Sequence, residues 1–77
     1  MENEQYQMIV NNIREAIDES GLKQRAVAER CGMDPKQLNN ILCFRKRLNA
    51  DDIPKLCNAL GVLPDRFFKE TITPMTA

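Results

Sequence analysis

Histidine is absent from this 77-residue chain, and with it the side chain most often used as a general base or metal ligand near neutral pH. Cysteine is scarce and odd in number: Cys31, Cys43 and Cys57 have no C-x-x-C spacing and no histidine to complete a zinc site. Neither a structural metal nor a disulfide framework is expected, and reduced thiols in a cytoplasmic protein are the simplest reading. With three glycines in all, the chain carries no glycine-rich phosphate loop, and it has no nucleophile elbow, so neither catalytic residues nor a cofactor are expected. There is no apolar run of about 18 residues, and the opening MENEQ is polar and acidic. Neither a membrane span nor a signal peptide is therefore expected. The length suits one small domain, without room for a separate catalytic or effector-binding unit. No small-molecule effector is expected.

Net charge is also missing, since eleven bases balance eleven acids. The balance is uneven along the chain. Residues 22–48 hold Lys23, Arg25, Arg30, Lys36, Arg45, Lys46 and Arg47 against only Glu29 and Asp34. The acids gather toward both ends. A basic centre between acidic flanks steers a polyanion to one face, although a solvated charge run has the same composition.

The apolar pattern predicts an all-α chain of five helices with no strand-like alternation. Ile9, Ile13, Ala16 and Ile17 recur at helical spacing, with Tyr6 and Val10 beside them, and Gly21 supplies a stop. A second helix over about 24–31 turns Val27, Ala28 and Cys31 inward and closes at Gly32. A third opens on an Asp34 cap with Pro35 at its first position and Gln37 where a capping box wants Glu or Gln. Its buried stripe is Leu38, Ile41 and Leu42. A fourth is expected to start from an Asp51 cap with Pro54 in its first turn, and to bury Ile53, Leu56, Cys57 and Leu60 before Gly61. Pro64-Asp65 opens a fifth, whose Phe67 and Phe68 can plug the core. The domain is expected over 1–70, with 71–77 a loose tail.

Helices two and three, joined through Gly32, form a helix-turn-helix pattern. The second of the pair carries Lys36, Asn39, Asn40 and Cys43 at i, i+3, i+4 and i+7, away from its apolar stripe. Asn40 has the amide that pairs with an adenine edge, and Lys36 can donate to guanine O6 or N7. Asn39 sits at the edge of this face. Gln24 and Arg25 lie at a helix N-terminus, where unpaired N–H groups suit a phosphate. Arg45, Lys46 and Arg47 form a basic connection fit to grip strands without reading sequence. Gln37 is divided between its own cap and a phosphate.

Gln24, Ala28, Gly32, Leu38, Ile41 and the run Ala59-Leu60-Gly61-Val62, at these spacings and without a gap, resemble the phage-repressor-like helix-turn-helix family of the lambda repressor and Cro type. The resemblance runs from Gly21 to Phe68, and nearly the whole chain with the first helix. It implies a five-helix domain that binds near-palindromic double-stranded DNA as a homodimer and regulates transcription, often of phage or prophage genes. It also implies base reading from Asp34, Pro35, Lys36 and Asn40, and phosphate contacts from Gln24, Arg45 and Lys46. Three positions depart from the family pattern. Lys23 replaces a Ser or Thr cap, Phe44 stands where a glycine commonly follows the recognition helix, and Pro35 lacks a side-chain donor. Phe67 and Phe68 are the expected dimer contacts. The rival reading is a protein-binding helical module, antitoxin-like or a phage inhibitor, that uses the same fold without operator recognition.

Overall fold

The computed structural model describes residues 4–68. Five helices follow one another: α1 (Glu4–Ser20), α2 (Gln24–Cys31), α3 (Pro35–Leu42), α4 (Asp52–Leu60) and α5 (Asp65–Phe68). The expected all-α architecture is the observed one, and no strand occurs among the described residues. The expected tail over 71–77 lies outside them.

The core is assembled from one apolar stripe per helix. Val10, Ile13, Ala16 and Ile17 of α1 meet Val27 and Ala28 of α2, Leu38, Ile41 and Leu42 of α3, and Leu56 and Ala59 of α4. α2 packs on both α3 and α4, while α1 lies against α5, α3 and α4. Each stripe follows from side chains three and four apart sharing a helix face.

The helix ends explain the path of the chain. Asp34 caps α3 as expected, its carboxylate accepting the Lys36 N–H at 2.9 Å, with Pro35 in the first turn. The expected Asp51 cap of α4 is not found: Asp51 has helical backbone angles and makes no side-chain cap. The neighbouring carboxylate does that work. Asp52 Oδ2 accepts the Asn49 N–H at 3.0 Å while the Asp52 N–H donates to the Asn49 carbonyl at 2.9 Å. This is the reach-back half of a capping box, with an acid at its third position. Burial of Asp52 is tolerated because its carboxylate accepts the Asn49 N–H at a helix start, where the backbone favours negative charge.

Phe67 and Phe68 part company. Phe67 is fully buried, and the Asn12 side-chain amide donates to its carbonyl at 2.8 Å, fixing α5 to α1. Phe68 stays 48% exposed. Phe67 therefore plugs the core and is unavailable to a second subunit, which corrects its assignment as a dimer contact. The reason is helical geometry: adjacent residues point about 100° apart, so only one of the pair can face α1. Arg66 bridges to Glu19 at 2.8 Å and Glu15 at 3.8 Å on the same α1–α5 seam, a surface network of small energetic weight.

Truncating the two phenylalanines should separate these roles. Phe67→Ala is expected to cost about 3–5 kcal/mol, a large share of the roughly 4–12 kcal/mol that holds a domain of this size together. Phe68→Ala should cost under about 1 kcal/mol. Urea denaturation followed by circular dichroism reads both.

Candidate nucleic-acid interface

α3 presents its polar side outward because α2 braces it from behind. α2 ends at Gly32, whose φ of 73° lies in the left-handed region, open to glycine at little cost. The Gly32 N–H donates to the Glu29 carbonyl at 3.1 Å, and the Met33 N–H to the Ala28 carbonyl at 3.0 Å. This paired closure is the Schellman arrangement, completed by an apolar residue just beyond it, here the buried Met33. Ala28 is fully buried where α2 packs on its neighbours, so a longer side chain would push the helix outward and turn α3 away.

With Leu38 and Ile41 fully buried, Lys36, Asn39 and Cys43 are exposed and Asn40 is half-buried. Pro35 is half-buried and Asp34 is exposed. One Asp34 oxygen is already engaged with the helix start, which gives that carboxylate a capping role in addition to the expected base contact. Gln37 is half-buried on the same helix. Arg25 is exposed and Gln24 half-buried at the first turn of α2. Gln24 Nε2 donates to Asn39 Oδ1 at 3.2 Å, a direct polar tie between the two helices on the outer surface. That tie spends the Asn39 acceptor internally and leaves its amide donors for another partner.

The connection after α3 is folded back on that helix rather than loose. The Phe44 N–H donates to the Ile41 carbonyl at 3.1 Å, and the Arg45 and Lys46 N–H groups share the Asn40 carbonyl at 2.8 and 3.1 Å. Phe44 has φ of 65°, the one positive value among described non-glycine residues. It occupies the left-handed place that Gly32 fills after α2. Arg45, Lys46 and Arg47 are all exposed from this turn.

Two residues near this surface were not among the expected site residues. Arg14 of α1 lies 3.4 Å from the Leu42 carbonyl, through Nη1, at the C-terminal end of α3. A cation suits that position, where unpaired carbonyls concentrate negative potential. Arg14 also lines an open cleft of about 410 Å³ with Asp18, Gln24, Asn39 and Cys43. Tyr6, at the start of α1, accepts the Leu48 N–H at 2.7 Å. Neither has a sequence signal, because both act on residues some 28 to 42 positions away. Arg30 is directed elsewhere, 3.4 Å from the Ala59 carbonyl, so this base ties α2 to α4.

Residues 10–71 match the helix-turn-helix domain family. The chain belongs to that family. Helix-turn-helix domains place the second helix of the pair in the DNA major groove while the first crosses the backbone, and α3 and α2 stand in those two places. The helix-turn-helix unit thus gives this chain the architecture of a DNA-binding regulator. No curated protein matches it at a significant level. No group of three or more potential metal-ligating side chains occurs among the described residues, and no helix there is long and apolar enough to cross a membrane.

The three thiols differ in a way that probes this surface. Cys31 and Cys57 are buried, Cys43 exposed. Burial pushes the Cys31 thiol up, helped by the nearby Asp52 charge and opposed by Lys55, and burial alone pushes Cys57 up. Thiolate is the reactive form, so native protein at neutral pH should take one maleimide at Cys43 well before any at the other two. Mass spectrometry of timed samples reads the order, and labelling at Cys31 should quicken as pH rises.

Proposed function

We propose that the chain is a sequence-specific regulator of transcription that binds double-stranded DNA, a small repressor of the Cro kind acting in the cytoplasm on phage or prophage genes. It works by occupying a site and needs no cofactor, effector or catalytic step. The observation that carries this reading is the outer surface of α3: Lys36 and Asn40 sit on a helix whose other side is locked into the core, with Gln24 and Asn39 joined beside them. A short rigid helix with a cation and an amide on one side can meet base edges without reorganising first.

The division of labour follows from chemistry. Lys36 and Asn40 read bases, with Asn39, Asp34 and Pro35 at the margin of the same surface. Gln24, Arg25, Gln37, Arg45, Lys46 and Arg47 hold phosphates, which sets register. Two subunits place their α3 helices one duplex turn apart, about 34 Å, on a near-palindromic site. Phe68 and the 73% exposed Leu63 supply apolar surface for that pairing in place of the buried Phe67.

Selection of bound sites from random duplexes tests the reading in one step, because it reports preference and half-site symmetry together. Asn40→Ala should relax preference at one base pair, worth about 1–3 kcal/mol of discrimination. Lys46→Ala should weaken all sequences alike and reduce the slope of log affinity against log salt by roughly 0.9. A protein that enriches no site, shows no salt dependence and instead co-purifies in fixed ratio with another protein would be the protein-binding module.

A further inference from the structure

The turn that carries Arg45, Lys46 and Arg47 is gripped from α1 by the side chain of Tyr6. Tyr6 makes three distinct contacts with it. Its hydroxyl accepts the Leu48 N–H at 2.7 Å. Its ring meets the Phe44 ring edge-on, with centroids 6.4 Å apart and planes at 68°. The Arg47 guanidinium lies 4.5 Å from the Tyr6 centroid. Aromatic pairs at this spacing prefer such an edge-to-face approach, and a guanidinium within about 6 Å of a ring face is held by the ring's negative quadrupole.

The backbone gives a reason for this arrangement. Phe44 holds a left-handed conformation at the end of α3, which is unfavourable for a side chain with a Cβ. A glycine there would escape that cost but would have no ring to set against Tyr6. Strain of this kind persists where surrounding contacts over-determine it. Here the overdetermining contacts are the paired helix closure on one side and Tyr6 on the other.

We infer that Tyr6 is a positioning residue for duplex-DNA binding: by stacking on Arg47 and pinning Phe44 and the Leu48 amide, it sets the phosphate-gripping turn in its bound form before DNA arrives. This rests on the DNA-binding reading above. Stacking on a ring occupies the face of a guanidinium, while its N–H groups point outward in the plane of the group. Arg47 is exposed, so the side chain that Tyr6 orders can still donate to a phosphate oxygen. Ordering a long, rotamer-rich side chain on binding carries an entropic cost, and a ring that orders it beforehand removes part of that cost. Tyr6 itself need not touch DNA.

The test is a double-mutant cycle on the full chain, with affinity for mixed-sequence duplex DNA measured by fluorescence anisotropy across a salt series. Tyr6→Leu should weaken binding roughly fivefold, the size of one side chain's ordering cost, with little change in salt slope because no phosphate contact is deleted. Arg47→Ala should lower the slope by about 0.9. In the Arg47→Ala background, Tyr6→Leu should lose most of its effect on affinity. Tyr6→Phe, which keeps the ring, should bind closer to wild type than Tyr6→Leu. Circular dichroism melts confirm that each variant is folded at the assay temperature; should Tyr6→Leu melt below it, Tyr6→Met, which also removes the ring, takes its place in the cycle with the same expected and contradicting outcomes. Equal losses from Tyr6→Leu with and without Arg47 would overturn the proposal while leaving DNA binding intact. Wild-type protein that showed no salt-dependent duplex binding would remove both.

Discussion

The angle between α2 and α3 is the constraint from which the rest of the structure follows. It is set at Gly32, where the chain turns through a left-handed residue and two hydrogen bonds close α2 before α3 begins. Ala28 keeps the first helix close to the core, and Leu38 and Ile41 bury the back of the second. Space is not the reason for glycine at this turn, since a Cβ there would meet nothing within 4 Å. Backbone conformation is the reason. Once the angle is fixed, the outward side of α3 has no freedom left, and Lys36 and Asn40 take the direction the core gives them.

The charge distribution acquires meaning only on that frame. Of the bases clustered in the middle of the chain, Arg30 lies against the carbonyl of Ala59 and serves the α2–α4 packing. Lys23, Arg25, Lys36, Arg45, Lys46 and Arg47 are exposed at the start of α2, on α3 and on the turn beyond. The acids Glu15 and Glu19 bind Arg66 on the α1–α5 seam. A neutral chain can therefore offer a polyanion a positive surface. The start of α2 adds to it, because its first turn presents backbone N–H groups and Lys23 makes no side-chain cap. At α3, by contrast, Pro35 has no N–H and Asp34 takes that of Lys36.

The parts of the fold that were readable in the sequence are those set by local chemistry. Five helices, an Asp-Pro start for α3 and a glycine after α2 rest on short-range signals, and each appears where it was expected. The inward faces of α1 and α4 are rotated slightly from expectation, with Val10 and Ala59 buried and Ile9, Ile53 and Leu60 half-buried. Reading was less secure wherever two neighbours could perform one task. Asp51 and Asp52 are equivalent on paper, and only the path of the chain from Asn49 brings the second into capping position. Phe67 and Phe68 likewise differ only in which of them faces α1. The contacts of Asn12, Arg14 and Tyr6 were not legible at all, because each joins residues far apart in sequence. The candidate surface was legible as a list of residues; its support, which lies in α1, was not.

Amide chemical-shift mapping during titration with duplex DNA addresses the central claim most directly, that a core-braced α3 and its neighbouring turns face the duplex. The account expects perturbations concentrated at Gln24 and Arg25, across 34–40 and through 44–47, with the α1–α5 seam around Glu15, Glu19 and Arg66 little changed. Shifts confined to that seam, or none at any salt concentration, would contradict it.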